Sequence, residues 1–235
     1  MKSVVEQTEP MRSVVVVIDD DRLFRRSITR LLETHGYETE AYQSLNEISA
    51  AGRIPQMGCA LLDLNLPDTN GLEIQDKLAI IAPALSIVFL TGFGRVASSV
   101  RAMKTGAVDF LEKPVDDAIL IQAVERAIDR SKRLSKERVE REELLRRFGR
   151  LTVREREVFV LITAGLLNKQ AGAELAITEK TVKVHRAHVM EKMEVQSLAE
   201  LVRVAQRLGP DVQFAAPSSN SATGSESART AARGR

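Results

Sequence analysis

Five consecutive branched residues, Val14-Val15-Val16-Val17-Ile18, run without a polar break into Asp19-Asp20-Asp21. A run with no alternation makes a strand buried on both faces, as in a parallel sheet covered by helices. A second run of this kind, Cys59-Ala60-Leu61-Leu62, ends in Asp63. Parallel strands end on one edge of their sheet, and open α/β sheets bind ligands outside that edge. Asp19, Asp20 and Asp63 are therefore expected to crowd together, and three carboxylates at one point repel unless a cation shares them. Oxygen-only ligation of this kind suits Mg²⁺, which keeps several waters and takes one or two carboxylates.

Around these runs strands and helices alternate. A strand is predicted over Ser13–Ile18, then a helix over Arg22–Thr34 with Leu23, Phe24, Ile28, Leu31 and Leu32 inward and Gly36 as its stop. A strand near Tyr37–Ala41 and a helix near Ser44–Ala50 lead to the strand ending at Asp63. Pro67-Asp68-Thr69-Asn70-Gly71 is a turn that opens a helix to about Ile81. A strand over Ser86–Leu90, a helix over Val96–Thr105 stopped by Gly106, and a strand over Val108–Glu112 complete the pattern. The expected fold class is α/β: a doubly wound, five-stranded parallel-sheet domain of about 120 residues, followed by a small all-α domain.

Charge divides the chain in the same place. Residues 1–129 hold 13 Lys+Arg against 19 Asp+Glu, whereas residues 130–235 hold 21 against 13. An acidic half that handles cations or phosphate, joined to a basic half that meets a polyanion, accounts for this asymmetry. The single cysteine, Cys59, lies in a core strand and excludes an intrachain disulfide. No apolar stretch approaches the ~18 residues of a membrane span, and Met1–Pro10 has no signal-peptide core, so the expected setting is cytoplasmic. From Asp116 the pattern is helical to about Arg147, and 15 of the 23 residues from Glu125 to Arg147 are charged. Broken heptad spacing leaves a coiled coil unsecured, and the plain reading is a solvated helical spacer about 35 Å long. Residues 215–235, rich in Ala, Ser, Gly and Arg, read as a disordered tail.

Two more groups join the acidic edge. Thr91 ends the fourth predicted strand, and Lys113 follows the fifth, before Pro114. A lysine there pairs with a carboxylate and then with an added phosphoryl oxygen, and a threonine hydroxyl donates to another such oxygen. Asp63 would be the nucleophile that forms an aspartyl phosphate. Mg²⁺ held by Asp20, Asp63 and the backbone carbonyl of Asn65, with Asp19 behind, would neutralise charge in the transition state. Asp21 is read as a helix N-cap.

Two enzyme readings compete. Gly92-Phe93-Gly94-Arg95-Val96-Ala97 follows a strand, opens a helix and has Glu112 beyond it, which formally fits a dinucleotide fingerprint. It explains neither the acidic pair nor Asp63. Asp19-Asp20-Asp21 also supplies the Asp-x-Asp of haloacid-dehalogenase-like phosphatases, but that pattern wants Thr or Val where Leu23 stands and gives Asp63 no role.

The elements Ile18-Asp19-Asp20, Asp63-Leu64-Asn65-Leu66-Pro67-Asp68, Asn70-Gly71, Thr91-Gly92 and Ala107-Val108-Asp109-Phe110-Leu111-Glu112-Lys113-Pro114 together resemble the receiver domain of bacterial response regulators. The resemblance implies phosphotransfer from a sensor histidine kinase to Asp63, with Thr91 and Phe110 as switch residues. Considered alone, Phe110 is a core aromatic of a strand.

In the basic half, Thr152 caps a helix that Gly165 ends, Asn168–Leu175 forms a short helix, and Thr178 caps another from Glu179 to about Met193. A helical wheel puts Val182, Val189, Met190 and Met193 towards a core, and Lys180, Lys183, Val184 and Ala187 on the opposite face. Small apolar groups between lysines suit a major groove, where thymine methyls, guanine edges and phosphates lie. His185 and His188 lack a third metal ligand nearby and read as structural.

Leu151-Thr-x-Arg-Glu, Gly165-x-x-Asn168-Lys169 and Thr181-Val182-Lys183-Val184-His185-Arg186 resemble the LuxR-type helix–turn–helix of the NarL/FixJ response regulators, closest to the FixJ subgroup. That resemblance assigns Lys183, Val184 and Ala187 to base edges, and Lys169, Lys180, Thr181 and Arg186 to phosphates, although the wheel sets Arg186 nearer the core. It implies double-stranded promoter DNA, RNA polymerase and a phosphorylation-dependent homodimer as partners, without a membrane. The organisation expected is an N-terminal extension at 1–12, a receiver domain at 13–124, a charged helical linker at 125–147, a LuxR-type DNA-binding domain at 148–211 and a tail at 212–235. A DNA-binding protein whose receiver is a constitutive or ligand-responsive dimeriser, without phosphoryl chemistry, is the rival from another functional class.

Overall fold

The computed structural model describes residues 14–50, 52–67, 69–92 and 96–209, with Val96 and Ala97 by backbone only. The predicted tail, the N-terminal extension, Ser13, Asp68 and residues 93–95 of the glycine-rich stretch lie outside the described residues. The chain divides into two compact units, Met1–Val139 and Glu140–Arg235.

The first unit orders β1 (Val14–Ile18), α1 (Arg22–Thr34), β2 (Glu38–Tyr42), α2 (Leu45–Ala50), β3 (Met57–Asp63), α3 (Gly71–Ile81), β4 (Ala84–Thr91), α4 (Val96–Lys104), β5 (Asp109–Glu112) and the start of α5 (Asp117–Gly149). The five strands form one sheet in the order β2-β1-β3-β4-β5, and every pairing is parallel. Successive residues of the central strands feed opposite faces. Val14, Val16, Ile18, Ala60, Leu62, Ile87 and Phe89 meet Ile48, Leu72, Ile74, Leu78 and Ala102 of α2, α3 and α4. Val15, Val17, Cys59, Leu61, Val88 and Leu90 meet Ile28, Leu32, Leu120, Val124 and Ile128 of α1 and α5. Each Val, Leu, Ile or Phe among them that is removed from water contributes about 1.5–3 kcal/mol, which is why runs with no polar break were required. Chain order reverses between β1 and β3, and this switch point opens a crevice at their carboxyl ends.

Several element ends shift by one residue from the sequence expectation, as in β2 and β5, and two differences are larger. β4 begins two residues before Ser86, because Ala84 and Leu85 are buried and pair with Met57 and Gly58. The packed stripe of α5 also passes residue 124: Ala127, Ile128 and Ser131 are buried, and the Gly58 amide donates to Ser131 Oγ at 2.8 Å. Leu120, Ala123, Val124, Ala127, Ile128 and Ser131 hold helical spacing, which the dense charges among them hide in the sequence.

In the second unit the end of α5 joins α6 (Val153–Thr163), α7 (Asn168–Glu174), α8 (Glu179–Lys192) and α9 (Leu198–Leu208). Its core gathers Phe148, Leu151, Val158, Phe159, Ile162, Val182, Val189, Met193, Leu201 and Leu208, with Leu144 packed against it. Phe148 meets Phe159 edge-on at 5.3 Å between ring centroids. Leu144 and Phe148 thus place the last turns of α5 inside this unit's core. α7 meets α8 through Gly172, where a Cβ would lie 2.8 Å from the Ile177 carbonyl oxygen.

Candidate functional site

The crevice at the switch point holds Asp19, Asp20 and Asp63, and one ligand oxygen from each lies within 4.8 Å of the others. Asp19 and Asp63 are buried and Asp20 is exposed, so the cluster opens to solvent on one side. Asp21, in contrast, caps α1, accepting from the amides of Leu23 at 2.8 Å and Phe24 at 3.1 Å. It is absent from the cluster, which removes the Asp-x-Asp pair that a phosphatase of the second kind would need.

Lys113 reaches across the edge from the end of β5. Its Nζ donates to Asp19 Oδ2 at 2.5 Å and to Asp63 Oδ2 at 2.7 Å. It also stands 4.1 Å above the centroid of the Phe24 ring, a cation–π contact in a partly desolvated place. The Lys113 amide donates to the Thr91 carbonyl, and the Lys113-Pro114 peptide is cis. Burial pushes the Asp19 carboxyl above its ordinary range, against the opposing pull of Lys113. Burial alone would lower the Lys113 ammonium, but its hydrogen bonds to Asp19 and Asp63 outweigh this and hold it above its ordinary value. The lysine is therefore secure as a cation, while the buried Asp19 charge gains from any further cation.

The remaining edge residues surround this group. Thr91 is fully buried, and Asn65 Nδ2 donates to its Oγ1 at 3.4 Å. The Asn65 amide donates to Asp63 Oδ1 at 3.0 Å, which fixes one carboxylate oxygen of Asp63 while Lys113 holds the other. Phe110 is half-buried, its ring centroid 5.9 Å from that of Phe89 in β4. Gly71 brings the start of α3 hard against the end of β3: its amide donates to the Leu64 carbonyl, and a Cβ would lie 2.5 Å from the Asp63 carbonyl oxygen. Asp20, Leu64, Asn65, Pro67, Thr69 and Asn70 line an open depression of about 400 Å³ beside the carboxylates. The donor set is all oxygen, anionic and partly exposed, which fits a hard divalent cation that keeps water. The sequence left unmarked the Phe24 ring under Lys113 and the arginine of α1, Arg25, which donates to the Asp19 carbonyl.

In the second unit, Lys180, Lys183, Val184 and Ala187 lie exposed on α8, while Val182, Val189 and Met193 are fully buried. Thr178 caps the helix, accepting from the Thr181 amide at 3.1 Å, and Thr181 is half-buried. Lys169 is exposed on α7. Arg186 is half-buried and donates to Asn168 Oδ1 at 3.4 Å, so its guanidinium is turned towards the start of α7. Arg154 donates to the Leu175 carbonyl at 2.6 Å and pairs with Glu157, tying α6 to the end of α7. Glu155, only 3% exposed, completes a capping box with Thr152 and accepts from Lys192 Nζ at 2.6 Å. His188 Nδ1 stands 3.6 Å from the other Glu155 oxygen. Arg147 pairs with Glu194 at 3.0 Å and donates to the Met193 carbonyl at the end of α8. These contacts hold α8 firmly while leaving one face of it uncovered within the unit.

Comparison with known proteins agrees with both halves. The family model of the response regulator receiver domain matches residues 15–125, and that of the luxR family of bacterial regulatory proteins matches residues 150–205. Nodulation protein W of Bradyrhizobium diazoefficiens is 40% identical over 198 residues, 84% of this chain and 87% of its own. Transcriptional regulatory protein FixJ of Azorhizobium caulinodans is 40% identical over 195 residues, covering 83% and 92%. Among solved structures, the response regulator StyR superposes with a TM-score of 0.68 at 38% identity, over 83% of this chain and 99% of its own. Full-length FixJ from B. japonicum follows with a TM-score of 0.51 at 35% identity, over 85% and 98%. Among the described residues no helix is long and apolar enough to cross a membrane.

Proposed function

The chain belongs to the FixJ-like response regulators, transcriptional regulators that join a receiver domain to a LuxR-type DNA-binding domain, and from that premise we propose that Asp63 is the phosphoacceptor of a Mg²⁺-dependent switch. The observation that carries this reading is the convergence of Asp19, Asp20 and Asp63 within 4.8 Å at the switch point, with Lys113 on two of them. An Asp63 oxygen attacks the phosphorus of a phosphohistidine on a sensor kinase. The P–N bond breaks, and the imidazole leaves with the bonding pair and takes a proton. Asp19, Asp20, Asp63 and the Asn65 carbonyl would hold Mg²⁺, which when bound neutralises charge on the phosphoryl oxygens. Lys113 passes from the Asp63 carboxylate to a phosphoryl oxygen, and the Thr91 hydroxyl donates to another.

The readout follows from that capture. Thr91 is buried behind the site, and drawing its hydroxyl towards a phosphoryl group frees space that the half-buried Phe110 ring can enter. The face of α4, β5 and α5 changes with it, two copies pair, and two copies of α8 engage a two-fold promoter site in the cytoplasm. Lys183, Val184 and Ala187 meet base edges, while Lys169, Lys180, Thr181 and Arg186 hold phosphates, and RNA polymerase is recruited at the promoter. The receiver's packing runs along α5 as far as Ser131, a charged helical stretch follows, and the DNA-binding domain begins in the last turns of α5 at Leu144. Intact-mass spectrometry after treatment with acetyl phosphate tests the switch. One added phosphoryl group is expected in the wild type with Mg²⁺, and none in Asp63→Asn or in EDTA. An adduct of equal yield in Asp63→Asn would overturn the assignment.

A further inference from the structure

We infer that Glu179 is a specificity residue of the DNA-reading helix, accepting a hydrogen bond from the amino group of a cytosine beside Lys183. It is the first residue of α8, and its Oε1 lies 2.9 Å from Lys183 Nζ, one turn along. Both side chains are exposed, at 47% and 62%, so the pair contributes little to folding. Thr178 caps the helix start through the Thr181 amide, and the Glu179 carboxylate is turned along the helix to Lys183. On a helical wheel Glu179 falls 40° from Lys183 on its core-facing side. In the first turn of α8 it nevertheless lies exposed, and its contact with Lys183 brings the carboxylate to the edge of the arc that carries Lys180, Val184 and Ala187.

An acid in that place has a definite cost. DNA attraction is dominated by phosphate charge, and a carboxylate at the groove-facing margin of α8 opposes it on every sequence. The cost is recovered only where the groove offers a donor, and in the major groove cytosine N4 is the base group that Glu and Asp accept from. Lys183, released from Glu179 by that contact, donates to guanine O6 or N7. The two side chains together then favour a C·G pair, the one that gives Lys183 two acceptors on guanine. They penalise orientations that turn an acceptor or the thymine methyl towards the acid, which is discrimination by repulsion as well as attraction. This inference rests on the reading of Lys183 as a base contact.

The test is selection of bound duplexes from a randomised pool by the full chain, phosphorylated with acetyl phosphate, for wild type, Glu179→Gln, Glu179→Ala and Lys183→Ala. Both Glu179 variants are expected to lose roughly ten-fold of the preference for C·G at one position of each half-site. They should also bind random-sequence duplex more tightly than wild type, with unchanged melting temperature. Identical selected sequences for wild type and both Glu179 variants would overturn the inference. If Lys183→Ala alone shifts the selection, Lys183 keeps its role and Glu179 loses its own. If no variant shifts it, or wild type selects nothing, both readings fall.

Discussion

Lys113 donates to Asp63 across 2.7 Å, spanning from the end of β5 over β4 to the end of β3. Its side chain is 16% exposed and that of Asp63 10%, so water screens the pair weakly. Replacing Lys113 with Met leaves two adjacent buried carboxylates without their cation, a change that costs on the order of 3 kcal/mol. A divalent ion can take over that neutralisation. Thermal unfolding of Lys113→Met in EDTA should therefore occur well below wild type, and Mg²⁺ should raise its midpoint more than it raises the wild type's. A Mg²⁺ response no larger than the wild type's would mean that the ammonium and the ion do not compete for the same oxygens.

Thr91 is fully buried and accepts from Asn65, so its hydroxyl is held next to the Asp63 loop. If that hydroxyl couples phosphorylation to dimerisation, Thr91→Ala keeps the phosphoryl adduct on Asp63 but dimerises roughly ten-fold more weakly, the scale of a typical coupling free energy. Thr91→Ser, which retains the donor, should dimerise as wild type does. Sedimentation of the phosphorylated variants decides it, and equal dimerisation by the Ala variant removes Thr91 from the switch.

Gly71 is needed for close approach. A Cβ there would meet the Asp63 carbonyl oxygen at 2.5 Å, the Leu64 Cα at 3.0 Å and the Phe89 ring at 3.0 Å. Two of the three are backbone, so α3 or the end of β3 must move. Gly71→Ala should lose about 1–3 kcal/mol in denaturant unfolding and phosphorylate more slowly, since Asp63 shifts relative to Asp19 and Lys113. Wild-type stability and rate together would contradict the tight fit.

The carboxylates of the edge were legible because Asp19-Asp20 and Asp63 directly follow unbroken apolar runs, and a parallel sheet brings such ends together whatever lies between. Val14–Ile18 and Cys59–Leu62 carried that information locally. Phe24 was legible as an inward residue of α1, yet its place under Lys113 depends on where β5 ends, which no local pattern states. The packing of α5 beyond residue 124 was hidden for a different reason: the same turns carry Glu125, Arg126, Asp129 and Arg130, and charge density masked an apolar stripe of helical period. In the second unit the exposed arc of α8 followed from periodicity alone. The pairing of Glu155 with Lys192 did not, because Thr-x-x-Glu reads as a capping box and gives no hint of a lysine on another helix.

That pairing sets a pH dependence. Burial alone would raise the Glu155 carboxyl, but the donors from Lys192 and Thr152 outweigh it and hold its pKa below the ordinary value of 4.5. A carboxyl lowered on folding contributes stability above its unfolded pKa and loses it as pH falls through the folded value. The second unit should therefore hold its stability from neutrality down to about pH 4.5 and weaken below that point. Glu155→Gln keeps an acceptor for the Thr152 amide but removes the charge that faces Lys192. It should cost about 2 kcal/mol at pH 7 and flatten the acid limb, since the group that titrates is gone. Amide exchange over α6 and α8 in the full chain, followed by mass spectrometry across pH, separates these effects from the first unit. An acid limb of equal slope in Glu155→Gln would assign it to other carboxyls, such as Glu143, which Arg146 and Arg147 hold down to about 2.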